Sequence, residues 1–120
     1  MLKNKALIYI FFIFCCVIGC KKTGEFHHVL LYSWSEDAAD QNKGAFLEIF
    51  ENLPSAIKGL ENVHIVKLEN SLDRHDILID MTFSSKTILK SYQNHPDHQK
   101  IEQYAIKVIQ DYSYFQYTMK

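Results

Sequence analysis

Between Ile77 and Phe83 the chain reads ILIDMTF, so that Ile77, Ile79, Met81 and Phe83 alternate with Leu78, Asp80 and Thr82. Successive side chains of a strand point to opposite faces, and this spacing predicts a strand with one wholly apolar face. Such a face has to be buried, and the flanking segments supply what buries it. Phe26 to Trp34 (FHHVLLYSW) is rich in β-branched and aromatic residues, with His28, Leu30, Tyr32 and Trp34 on one side and Val29, Leu31 and Ser33 on the other. Apolar residues on both sides predict a strand covered on both faces.

Helical spacing lies between the strands. Phe46, Ile49, Phe50 and Leu53 recur at three- and four-residue intervals after Ser35-Glu36-Asp37, which reads as a helix start with acids at the positive end of the dipole. Pro54 is expected to stop or break this helix. Val63 to Leu68 (VHIVKL) follows Gly59 as a second strand, and the polar stretch from Asn70 to His75 turns the chain into Ile77 to Phe83. Ser84 or Ser85 can cap a second helix bearing Ile88, Leu89 and Tyr92. Asn94-His95-Pro96 interrupts it before a third pattern of Ile101, Tyr104, Ala105, Val108 and Ile109, and a tyrosine-rich strand from Tyr112 to Tyr117 closes the chain.

The order β-α-β-β-α-β, with its second helical unit broken at His95-Pro96, predicts an α+β, ferredoxin-like domain: a four-stranded antiparallel sheet with helices on one face. The other face cannot be wholly polar, because the first and third strands carry apolar side chains on both sides. An uncovered apolar sheet face predicts a partner, most simply a second copy of the chain. The 120 residues, 48% hydrophobic and 13% aromatic, suffice for one core without disulfides.

The N-terminus is a separate object. From Ala6 to Cys20 every residue is apolar or small, and lysines flank the run at Lys3, Lys5, Lys21 and Lys22. A membrane span needs roughly 20 apolar residues, so this shorter run fits the apolar region of a signal peptide better. Val17-Ile18-Gly19-Cys20 resembles the lipobox of bacterial lipoproteins. That resemblance implies a signal peptide at residues 1–19, an acylated Cys20, and a short tether over residues 20–25 ahead of the domain at 26–118. Each buried methylene of a lipid chain contributes about 0.8 kcal/mol, so two chains on Cys20 would hold the domain to a membrane of the bacterial cell envelope, outside the cytoplasm. The competing reading is an uncleaved anchor helix that happens to end in a cysteine. Cys15 and Cys16 leave with the signal, so no thiol chemistry is expected of the domain. Loss of Lys3 and Lys5 leaves about −3 of formal charge, which disfavours a nucleic-acid partner.

His28-Val-Leu-Leu-Tyr-Ser-Trp in the first strand, Thr82-Phe83 ending the third, and the Tyr92-x-x-His95-Pro96-x-His98 stretch resemble the Dabb family of stress-responsive dimeric α/β-barrel proteins, from about Phe26 to Tyr117. The resemblance implies a homodimer whose sheets face each other in a barrel. Most members have no assigned reaction. One plant member, olivetolic acid cyclase, uses a tyrosine and a histidine to close a polyketide thioester. The resemblance places those residues at Tyr92 and His98, with His28 supporting. A neutral imidazole taking a proton α to a carbonyl, while a phenol hydrogen-bonds the oxyanion, is sound acid–base chemistry. An exported domain is poorly placed to meet polyketide thioesters, which are generally made and consumed inside cells.

The leading expectation is therefore a pocket bordered by His28, Tyr92 and His98 that binds a small hydrophobic or carbonyl-bearing molecule. A cyclase or lyase is one alternative, and a monooxygenase on the same fold, cofactor-free or haem-associated, is another. A structural reading also stands, in which Tyr92 is a core residue with a satisfied hydroxyl, His95-Pro96 shapes the helix break and His98 caps a backbone carbonyl. His95 and His98, with His28, have the residue types of a metal site, but Pro96 disturbs the helical spacing, and no metal or cofactor is expected. His27 and His64 have no evident carboxylate partner in sequence. Tyr112, Tyr114 and Tyr117 read as barrel and dimer residues.

Mass spectrometry of protein extracted from membranes should show a chain beginning at an acylated Cys20. An unmodified Cys20 in a chain that retains residues 1–19 would make the apolar run an uncleaved anchor.

Overall fold

The computed structural model describes residues 24–120; the apolar run, the lipobox with Cys20, and the tether up to Thr23 lie outside the described residues. The element order is β1 (Phe26–Trp34), α1 (Asp40–Ala56), β2 (Leu60–Lys67), β3 (Ile77–Phe83), α2 (Ile88–Gln93), α3 (Pro96–Val108) and β4 (Ile109–Thr118). The strands form one antiparallel sheet in the order β2-β3-β1-β4, with the helices on one face, as the strand and helix periodicities predict.

Register decides which side chains meet the helices. Opposite Met81, Ile79 and Ile77 of β3 stand His28, Leu30 and Tyr32 of β1, which in turn face Gln116, Tyr114 and Tyr112 of β4. Phe46, Phe50 and Leu53 of α1, Leu89 and Tyr92 of α2, and Ile101 and Val108 of α3 cover this face and are buried. Aromatic edges join α1 to β1: Phe46 meets Tyr32 at 5.3 Å between ring centroids and Trp34 at 6.0 Å, both nearly perpendicular. The opposite face carries His27, Val29 and Leu31 of β1 alongside Leu78 and Asp80, with the half-exposed Phe115 and Tyr117 on β4. No helix among the described residues is long and apolar enough to cross a membrane.

The bounds of β1 and β3 coincide with the sequence reading, whereas several other ends do not. α1 begins at Asp40 rather than Ser35, because the backbone there is committed elsewhere. The N–H of Trp34 donates to the Asp76 carboxylate at 2.8 Å, that of Ser35 to the Val108 carbonyl at 2.8 Å, and that of Ala38 closes a turn onto Ser35. Pro54 does not end the helix; it sits in the last turn, and the Ile57 N–H still reaches the Leu53 carbonyl at 2.9 Å. β2 starts at Leu60, three residues early, where a register shift between Leu60 and Asn62 hides the alternation. Neither Ser84 nor Ser85 caps α2: the Ser84 N–H donates to the Gly59 carbonyl, and Ser85 bonds Thr87. β4 follows α3 without a loop, so Ile109 belongs to the strand. Gly59 makes the turn into β2 at a φ of +94°, where a Cβ would stand 2.8 Å from Ile88 of α2.

Phe50 is fully buried between α1 and the sheet, whereas Leu72 on the β2–β3 loop is almost wholly exposed. Phe50→Ala is expected to cost about 3–5 kcal/mol in urea denaturation, and Leu72→Ala less than about 0.5 kcal/mol.

Candidate functional site

The break between α2 and α3 brings the site together. After Tyr92 in the last turn of α2, the His95 N–H bonds the Tyr92 carbonyl at 3.1 Å, and His95 itself turns extended, at φ −76° and ψ 144°. A residue before proline is pushed into that conformation, and Pro96 opens α3 where its missing N–H costs nothing. His95 Nδ1 accepts the Asp97 N–H at 3.0 Å, which makes His95 the N-cap of α3. His98 then lies in the first turn of α3 with its ring edge-on to Tyr92, 4.8 Å between centroids at 89°.

From the sheet, β1 projects His28 toward the same place, its ring 6.4 Å from that of Tyr92 and 5.5 Å from that of Tyr114. The three residues that the sequence singles out do converge. They line a cavity of about 610 Å³ between the β1–β4 half of the sheet and α2–α3, with Leu30, Ile101, Ala105 and Ile106 supplying apolar wall. Tyr32, Glu102, Tyr112, Tyr114 and Gln116 complete much of the lining.

Burial favours the neutral forms of His28, Tyr32 and Tyr92. His28 is depressed below the ordinary 6.5 of imidazole, first by desolvation and then by the neighbouring His98. Gln116 Nε2 donates to His28 Nδ1 at 3.1 Å. The Tyr92 phenol is pushed far above its usual range by burial, reinforced by Tyr32 and by the negative charge of Glu102. Tyr32 is raised in the same way, by burial and by Tyr112. Both phenols therefore stay protonated at physiological pH. None of the side-chain hydrogen bonds among the described residues uses the Tyr92 hydroxyl.

Several expectations need correction. His98 caps no backbone carbonyl: its Nδ1 lies 2.9 Å from a Glu102 carboxylate oxygen, one turn along α3. Tyr112 and Tyr114 stand on the helix-facing side and line the cavity. Tyr117 stands on the other face, stacked on His27 at 4.4 Å. His27 does have carboxylate partners, Asp80 at 2.7 Å and Glu25 at 3.4 Å, brought to it by β3 and by the residues before β1. His95 and His98 each turn Nδ1 to a local partner, and no group of three metal-ligating side chains is found among the described residues. Sequence reasoning missed Glu102, although its four-residue spacing from His98 is the signal for a helical pair. It missed Gln116 because only the β1–β4 register brings it to His28.

Residues 26–118 match the family model of the stress responsive A/B barrel domain, Dabb. Among solved structures, a hydroxynitrile lyase from Passiflora edulis superposes with a TM-score of 0.73 at 9% identity, covering 82% of this chain and 95% of that one. A Dabb family protein with a ferredoxin-like fold from Mesorhizobium loti gives 0.68 at 16% identity, over 81% and 98% of the two chains. A dimeric ferredoxin-like protein of unknown function from Thermobifida fusca gives 0.69 at 19% identity, over 82% and 93%. A search of curated proteins finds no significant sequence match.

The neutrality of His28 has a pH signature. Its folded-state pKa lies below the unfolded value, so between the two the unfolded chain binds more protons and stability falls as pH drops below about 6.5. His28→Asn should flatten the part of the stability–pH curve that lies just below 6.5, as measured by chemical denaturation across that range. A slope unchanged by the substitution would show that folding leaves the His28 pKa at its unfolded value.

Proposed function

The chain belongs to the Dabb family of stress-responsive A/B barrel domains, and on that premise we propose that it is an envelope lipoprotein whose homodimer binds a small hydrophobic or carbonyl-bearing molecule. The cavity bordered by His28, Tyr92 and His98 is its binding site. The observation that carries this reading is the composition of that cavity: apolar walls from Leu30, Ile101, Ala105 and Ile106 around a few convergent, uncharged hydrogen-bonding groups. This is the usual make-up of a small-molecule site, where burial supplies affinity and a few polar groups fix orientation.

The lipid anchor is supported by the lipobox resemblance at Val17–Cys20 and the apolar run before it. Self-association is supported by the open sheet face, where Leu31, Leu78, Phe115 and Tyr117 surround the His27–Asp80 pair, and by the dimeric state given for relatives of this fold. The tether of residues 20–25 would hold both copies to one membrane.

A second reading is acid–base catalysis of the lyase or cyclase type. It is favoured by the fold shared with a hydroxynitrile lyase and by the contact of a permanently protonated phenol with an imidazole whose Nδ1 is engaged by a carboxylate. In that chemistry His98 takes a proton from the substrate, and the Tyr92 hydroxyl donates to the oxygen that gathers negative charge.

A thermal-shift screen of small carbonyl compounds tests the binding reading. A ligand at 100 times its Kd stabilises the native state by about 2.7 kcal/mol. The wild-type protein should show such a hit, and Tyr92→Phe and His98→Ala should lose it while sedimentation still shows folded dimers. Unfolding of both variants would make the two residues structural, and turnover of the hit that both variants abolish would establish the catalytic reading.

A further inference from the structure

The polar groups of the cavity have a direction. His98 Nδ1 sits 2.9 Å from the Glu102 carboxylate, which only accepts, so in the neutral ring Nδ1 carries the proton and Nε2 keeps its lone pair. His28 is arranged the opposite way. Gln116 Nε2 donates to its Nδ1, so the single proton of the neutral ring is on Nε2. One imidazole therefore presents an acceptor from the helical wall and the other a donor from the sheet wall, with the Tyr92 ring between them at 4.8 and 6.4 Å. The lining also contains no lysine or arginine among the described residues, while Glu102 supplies a negative charge at its rim, two-thirds exposed. An anion entering this space would lose its hydration without gaining a cation.

We propose that the cavity selects an uncharged ligand carrying both a hydroxyl that donates to His98 Nε2 and a carbonyl that accepts from His28 Nε2–H, with Glu102 and Gln116 as the positioning residues that set this polarity. The ligand class is a hydroxyaryl ketone or aldehyde, or an enolised dicarbonyl compound, in its neutral form. This deepens the binding reading of the same cavity and rests on it. Tyr32, Tyr112 and Tyr114 offer ring faces and edges against which a planar ligand packs. Glu102 acts only through His98. Its exposure screens its direct attraction or repulsion, so its effect is felt through the tautomer it fixes.

Two measurements on the whole domain test the proposal. Ring ¹⁵N chemical shifts at neutral pH should show His98 as the Nδ1–H tautomer and His28 as the Nε2–H tautomer. Glu102→Ala should leave His98 a mixture, and Gln116→Leu should do the same to His28. Calorimetry then uses three probes: 4-hydroxyacetophenone, 4-methoxyacetophenone, which lacks the donor, and 4-hydroxybenzoate, which is anionic. The first should bind best, and Glu102→Ala should weaken it about fivefold, the value of one hydrogen bond, while changing the methoxy probe less than about twofold. Opposite tautomers in the wild-type protein, or equal losses for the hydroxy and methoxy probes, would overturn the assigned polarity. Tighter binding of the benzoate would overturn the neutral-ligand class. Failure of every probe to bind, with the tautomers as described, would instead refute the binding reading of the cavity and the ligand class with it.

Discussion

Everything in this domain hangs on Tyr32 and the aromatic pair that packs against it. Phe46 and Phe50 of α1 meet its ring at 5.3 and 6.2 Å, fixing the long helix to the central strand β1. Tyr32 is also a wall of the cavity, 6.1 Å from Tyr112 of β4. The core and the site thus share a side chain. Packing at native density on the α1 side holds β1 rigid, so that His28, four residues earlier on the same face, is presented to Tyr92 at a set distance. The β1–β4 register extends that order to Tyr112, Tyr114 and Gln116. On the other side, the His95–Pro96 break lets one short helix deliver Tyr92 and the next deliver His98, edge to face.

The two faces of the sheet use histidine in different ways. On the helix side His28 is desolvated, neutral and hydrogen-bonded to an amide, the condition of a ligand-binding group. On the open side the adjacent His27 pairs with Asp80 and stacks on Tyr117, whose hydroxyl donates to the same carboxylate at 3.3 Å. Consecutive residues of one strand always face opposite ways, so His27-His28 splits a polar pair between two environments. Apolar side chains around His27, whose Nδ1 is hydrogen-bonded to Asp80 within the patch, suit a face that a second copy covers, because a buried polar group needs its partner in place.

Most of the fold was legible in the sequence because the strands that define it are strongly patterned. Strict alternation over Ile77–Phe83 and the aromatic, β-branched run of Phe26–Trp34 gave both strands to the residue. What pattern could not show was tertiary competition for backbone groups. Ser35-Glu36-Asp37 has the composition of a helix start, yet Val108 and Asp76 claim the backbone there and delay the helix to Asp40. The bulge at Leu60–Asn62 concealed the start of β2 in the same way. In the site, His28, Tyr92 and His98 were found through a family resemblance, and the structure brings them together. Glu102 was visible as an i, i+4 pair and went unread. Gln116 and the side on which Tyr112 and Tyr114 stand depend on a strand register between residues 80 to 88 positions apart, which a single sequence does not specify.

The central claim is that the space between β1, β4 and α2–α3 is a binding site and not a packing defect. It is tested most directly by native mass spectrometry of the protein purified gently from the cells that make it, followed by identification of any small molecule it carries. The account predicts a bound, uncharged organic compound in stoichiometric amount, lost from the Tyr92→Phe and His98→Ala variants although they remain folded. A wild-type protein that is reproducibly empty, together with variants as stable as it is, would contradict the claim.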